Sequence, residues 1–191
     1  MDFEYDIIKF LQANATTGWI TFFQIVTLFG SYLGLAITFI IVFIKNKKLS
    51  LALVATFAVA GVINHFIKAL IGRARPFDTY NDIINYGNED GFSLPSGHSL
   101  CAGIFATFLV YTLFKTTKNK LDRTLGSLAL GSLMLLIAFS RMVLGVHYLT
   151  DIIAGTILGI LFAIVGIIVY NVVMKWMYKK FPKNTKNQEN E

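Results

Sequence analysis

The chain has little of what shapes a soluble or secreted domain. Its one cysteine, Cys101, has no partner for an intramolecular disulfide and reads as a small packing residue. Only 15% of the residues are charged, against 55% apolar and a mean hydropathy of +0.62, which excludes a soluble fold this apolar throughout. Metal-ligand spacing is missing from its His, Cys and carboxylate residues, so neither a metal nor a cofactor is expected. The opening run Met1-Asp2-Phe3-Glu4-Tyr5-Asp6 lacks the basic start of a secretory signal, so the first apolar span is expected to be retained. Basic residues do not interleave with aromatic ones on a soluble face, which argues against nucleic acid despite a net charge of +6.

What the chain does have is long apolar runs. Five lie near the roughly 20 residues a helix needs to cross a bilayer. They cover about 19–44, ended by Lys45-Asn46-Lys47-Lys48; 49–71, ended by Gly72 and then Pro76; 97–114; 124–144; and 150–174. Residues 1–18 mix charge with Ile7, Ile8, Phe10 and Leu11 at helical spacing, which predicts a short interfacial helix. The polar, basic tail over 175–191 is expected to fray. The expected fold is an all-α integral membrane bundle, with one five-span domain over 19–174 between these two segments. Gly155 and Gly159 form a small-xxx-small pattern, read as tight packing within a monomer, with a weak homodimer as the alternative.

An alternating five-span path gathers the lysines at 45–48, the 115–123 cluster and the basic tail on one side. That side holds twelve basic and three acidic residues, a balance of +9; the other holds five and eight, a balance of −3. The positive-inside rule makes the first side cytoplasmic, leaving the N terminus outside and the C terminus within. The inner lysines would then meet anionic lipid of a plasma membrane.

Three short runs carry most of the ionisable side chains beside these spans, where charge is costly and usually serves a purpose. They are Lys68-x₆-Arg75-Pro76, Pro95-Ser96-Gly97-His98 and Ser140-Arg141-x₅-His147-x₃-Asp151, and all fall at outer span ends. Lys68 and Arg75 are about two helical turns apart, so a continuous helix would set both on one face, with Pro76 ending it. Taken alone they would be two cations snorkelling at a helix end. Pro95 and Ser96 read as a helix start, and such an N-terminus offers N–H groups and a hydroxyl to an anion. Gly97 permits close approach of its backbone to a phosphate oxygen, and His98 would face the same pocket. His147 and Asp151, four apart, would share a helix face, the acid fixing the imidazole tautomer. Together the runs supply a nucleophile with an orienting acid, a second imidazole for protons and cations for phosphate oxygens. Two further residues stay open: His65, hydrogen-bonded inside the bundle or stacked beneath the site, and Arg73, at the pocket mouth or the interface. The outer loop over 77–94 carries no recognisable headgroup motif.

In order and spacing the three runs resemble the signature motifs of the type 2 phosphatidic acid phosphatase (PAP2) superfamily. The resemblance covers about residues 68–155; the first span and the tail match only in being hydrophobic or basic. It implies a metal-independent membrane phosphatase in which His147 attacks phosphorus and becomes phosphohistidine, Asp151 orients it, and His98 protonates the leaving oxygen. Lys68, Arg75, Ser96, Gly97 and Arg141 would hold the phosphate. The implied substrates are phospholipid or isoprenoid-lipid phosphates: phosphatidic acid, phosphatidylglycerol phosphate or a polyprenyl diphosphate. Alternatives within the fold are an undecaprenyl diphosphatase, a lipid transphosphorylase or a vanadate-dependent haloperoxidase, the last disfavoured because those proteins are soluble. An anion transporter would need polar residues continuing through the third and fifth spans, where almost none lie.

Overall fold

The computed structural model describes residues 3–181, and all of their regular structure is helical. Helix α1 (Phe3–Ala13) is followed by α2 (Thr17–Leu28), α3 (Tyr32–Lys45), α4 (Lys47–Ile71), the single turn α5 (Pro76–Thr79), α6 (Gly97–Thr116), α7 (Lys120–Val143) and α8 (Leu149–Lys180). By length and composition α4, α6, α7 and α8 can each cross a membrane, and α2 with α3, bent by 48°, are together long and apolar enough to count as a fifth span when taken as one.

The span expected over 19–44 is therefore broken. Hydropathy runs through the break and no proline marks it; a Gly–Ser pair does. Buried Gly30 lies against Ile137 and the His98 carbonyl, with no room for a side chain. Ser31 turns its hydroxyl back to the Leu28 carbonyl at 2.6 Å. Elsewhere the stops are local. Asn46 ends α3 and caps α4, its side chain accepting from the Lys48 and Leu49 amides at 3.1 and 3.0 Å. At the other end of the chain, α8 passes the expected boundary at 174 and stays helical to Lys180, whose ammonium lies 4.9 Å from the Trp176 ring centre. The fraying expected from 175 thus fails over the first turn and a half, and residues 182–191 lie outside the described residues.

The bundle is built around α6 and α8, whose backbones touch. A side-chain carbon at Gly159 would run into the Leu100 carbonyl, and one at Gly155 into that of Ser96. The small-residue pattern in the fifth span thus packs within the monomer. Leu53, Ile104, Phe108 and Ala163 are fully buried around this contact. Outward faces remain apolar, as at Leu51, Leu135, Ile157 and Val172, which suits helices solvated by lipid.

Helix α1 forms where a short N-terminal helix was expected. Ile8 is fully buried in a cluster with Ile83, Met142 and Tyr148. Gln12 exchanges two hydrogen bonds with the Ile84 backbone at 2.8 and 2.9 Å, and Lys9 pairs with Asp82 at 2.8 Å. The helix is docked on protein and roofs the end of the bundle where the three motifs meet.

Candidate active site

The first motif enters by a turn. Helix α4 stops at Ile71 because Gly72 takes φ 64°, a left-handed conformation that glycine adopts freely, and its amide returns to the Lys68 carbonyl at 2.9 Å. Arg75 then lies in extended backbone before Pro76. Lys68 and Arg75 consequently do not share a helix face, as their spacing had suggested. The Lys68 ammonium donates to the Phe92 and Ser93 carbonyls instead of reaching toward Arg75.

The two arginines of the motifs are buried and densely engaged. In Arg75, Nε donates to the Asp90 and Gly91 carbonyls at 3.0 and 2.9 Å, and Nη1 to the Val146 carbonyl at 3.0 Å. Arg75 Nη1 also lies 3.3 Å from His147 Nε2, and Nη2 lies 3.2 Å from Glu89 Oε2. In Arg141, Nη1 donates to Thr27 Oγ1 at 2.6 Å and Nη2 to Glu89 Oε1 at 2.5 Å, while Nε is buried without a partner.

His147 sits in the turn before α8 and not on the helix itself. Gly145, with φ 74°, makes that turn possible, pressed against Gln12 and the Ile84 carbonyl. His147 Nδ1 lies 3.5 Å from Asp151 Oδ2 and has no made hydrogen bond. The carboxylate beside Nδ1 and the guanidinium beside Nε2 select the tautomer protonated on Nδ1, which leaves a lone pair on Nε2. Burial, followed by the charges of Arg141, Arg75 and Lys68, holds this imidazole well below its ordinary pKa, so it is neutral.

Asp151 is fully buried at the third position of α8. Its Oδ2 accepts from the Tyr148 amide at 2.9 Å and its Oδ1 from Arg73 Nη1 at 2.7 Å. Arg73 also pairs with Glu4 at 2.7 Å and lies over the Tyr148 ring at 4.0 Å. The cation left open between pocket mouth and interface is thus a clamp on Asp151.

The second motif supplies the start of α6. Ser96 is fully buried as its N-cap, accepting from the Ser99 amide and hydroxyl at 3.4 and 3.0 Å, which leaves its own proton to donate. Gly97 opens the helix, and a side-chain carbon there would meet Asn64 Nδ2 at 3.8 Å. His98 follows, its Nδ1 3.4 Å from Glu89 Oε1.

Glu89 is the residue that sequence reasoning missed. It comes from the loop thought to lack a recognition element, yet its carboxylate joins Arg75, Arg141 and His98. A fork of two guanidiniums on one carboxylate is a geometry suited to planar, doubly bonded oxyanions. His65, in contrast, is exposed beside Phe66, neither beneath the site nor inside the bundle. Among the described residues, no group of three His, Cys, Asp or Glu side chains could hold a metal ion. An apolar groove of about 620 Å³ between α4 and α8 contains none of the motif residues.

Known proteins resemble this chain in sequence and in fold. Phosphatidylglycerophosphatase B of Bacillus subtilis is 34% identical over 115 residues, 58% of this chain and 53% of that protein. Dolichyldiphosphatase of Saccharomyces cerevisiae is 32% identical over 146 residues, 72% of this chain and 61% of that protein. The chain thus spans between half and two thirds of the length of these curated relatives. The crystal structure of a transmembrane PAP2 type phosphatidylglycerolphosphate phosphatase from Bacillus subtilis superposes with a TM-score of 0.71 at 25% identity, covering 95% of this chain and 87% of that one. The PAP2 superfamily matches residues 49–181, which include every motif position, and the chain belongs to that superfamily.

Proposed function

We propose that this chain is a multi-pass plasma-membrane phosphatase that removes phosphate from a lipid through a covalent intermediate on His147. One observation carries the reading. Two buried guanidiniums and the His98 imidazole converge on the Glu89 carboxylate at one end of an apolar bundle, and the buried His147 imidazole lies 3.3 Å from one of those guanidiniums, that of Arg75.

Substrate phosphate displaces Glu89 from the fork. Arg75 and Arg141 take its oxygens, with the unpartnered Arg141 Nε as an extra donor, and Lys68, the Ser96 hydroxyl and the Gly97 N–H complete the cradle. His147 Nε2 attacks phosphorus, the P–O ester bond breaks, and His98, having taken up a proton as the anionic phosphate enters beside it, gives that proton to the leaving oxygen. Asp151 stabilises the charge that develops on the His147 ring. Neutral His98 then removes a proton from water, whose oxygen attacks phosphohistidine and releases inorganic phosphate and free His147. No step calls for a metal.

The likeness to a phosphatidylglycerophosphatase and a dolichyldiphosphatase supports lipid phosphomonoesters or diphosphates as substrates, their tails held by the bilayer. The charge balance of +9 against −3 supports a site on the outer side and a cytoplasmic C terminus. Purified protein tested on a panel of lipid phosphates should release phosphate undiminished by EDTA, and His147→Ala should release none. Activity that vanishes with chelator and returns with a divalent ion would contradict the metal-free chemistry.

A further inference from the structure

His98 borders a second space besides the cation cluster. A cavity of about 220 Å³ lies between the start of α3, the middle of α4 and the start of α6. Its α4 wall is Phe57, Gly61 and Asn64, one helix face that continues to Lys68 a turn further on. Gly97 and His98 form part of the α6 wall, and Tyr32 stands at the edge. Tyr32 is 81% exposed and Gly61 is exposed too, so the cavity opens sideways toward lipid. A pocket for a whole small ligand runs to roughly 300–1,000 Å³. This one has room for the part of a lipid next to the scissile bond, with the rest lying in the bilayer.

Asn64 is the unexplained group. It is 8% exposed, and its Oδ1 has no hydrogen-bond partner. A buried carbonyl oxygen left without a donor is costly. The phosphoryl transfer described above does not use this amide. Because His98 protonates the leaving oxygen and also walls the cavity, the first carbons of the leaving alcohol lie within it, facing Asn64. An orphan acceptor there calls for a donor on the substrate.

We propose that Asn64 is a specificity residue whose Oδ1 accepts a hydrogen bond from a hydroxyl on the leaving alcohol, beside the ester being broken. The inference rests on the phosphatase reading and narrows its substrate class. It selects a lipid phosphomonoester with a free hydroxyl on the neighbouring carbon, as in phosphatidylglycerol phosphate. Phosphatidic acid and polyprenyl diphosphates present no such donor.

The full chain in nanodiscs would be assayed with dioleoyl phosphatidylglycerol phosphate, its 2′-deoxy headgroup analogue and dioleoyl phosphatidic acid. Wild type should favour the hydroxyl-bearing lipid over the other two by about ten- to a hundredfold in kcat/KM, the range of one buried hydrogen bond. Asn64→Leu should fall by that factor on the hydroxyl-bearing lipid and by less than about twofold on the others. The deoxy comparison uses wild type alone, so it holds even if the variant folds poorly. Equal kcat/KM on hydroxyl and deoxy lipids would overturn the inference, as would a uniform loss on all three lipids in a folded Asn64→Leu protein. Release of phosphate from none of them by folded wild type would overturn this inference, and no release from a polyprenyl diphosphate either would overturn the phosphatase reading.

Discussion

Buried guanidiniums are tolerated where their donors are met, and Glu89 helps to meet those of both Arg75 and Arg141. Glu89→Gln keeps the shape and removes the charge, so the substrate-free protein should lose roughly 1–2 kcal/mol, a few degrees in Tm. Inorganic phosphate should then raise Tm more in the variant than in wild type, because no resident carboxylate competes for the fork. Equal shifts in thermal melts would show that Glu89 does not occupy the phosphate position. Arg73 touches Asp151 and not the cradle, so Arg73→Met should lower kcat about tenfold with KM little changed, by analogy with other outer-shell partners. A steady-state titration separates the two parameters, and a change confined to KM would place Arg73 on the substrate. The motif side chains were legible because their types and spacings are unusual beside apolar runs. Glu89 and Arg73 were not, because an acid in a polar loop and a cation near a helix end are ordinary until the chain turns them inward. The turn at Gly72 decides this for Arg73, and Arg75 does so for Glu89 by holding the Asp90 and Gly91 carbonyls.

Among the elements, α6 and α8 matter most, since Ser96, Gly97 and His98 stand at the start of one, Asp151 in the first turn of the other and His147 in the turn that leads into it. Their separation is set where Gly159 meets Leu100 and Gly155 meets Ser96. Gly159→Leu must push the helices apart, at a cost of about 1–3 kcal/mol or more. It should lower Tm and activity together, although the residue contacts no motif side chain. Unchanged melting and turnover would mean that this contact does not fix the site. Four of the five expected spans appear close to their predicted bounds, because long apolar runs with clear stops leave little choice. The break between α2 and α3 escaped because its cause is packing against His98 and Ile137, residues far away in sequence. Helix α1 itself was legible, but its packing on protein was not, because an amphipathic pattern suits a membrane surface and a protein surface equally well.

For the whole molecule, the charge balance predicts which way the bundle faces. A site-side loop carrying Asn81 and an opposite loop carrying Lys118 are both exposed. With Cys101→Ser as background, a cysteine replacing Asn81 should react with a membrane-impermeant maleimide in intact cells. One replacing Lys118 should react only after the membrane is opened. The reverse pattern would put the site in the cytoplasm and change the leaflet that supplies substrate.

The central claim is that His147 carries the phosphoryl group, and trapping it tests this most directly. Purified protein would be mixed with a radiolabelled lipid phosphate, stopped within a single turnover by an alkaline quench that preserves phosphohistidine, digested, and mapped by mass spectrometry. The account predicts label on His147 in wild type, none in His147→Ala, and accumulation when water attack is slowed in His98→Ala with a substrate whose leaving group needs no proton. Label on another side chain, or full turnover by folded His147→Ala, would contradict it.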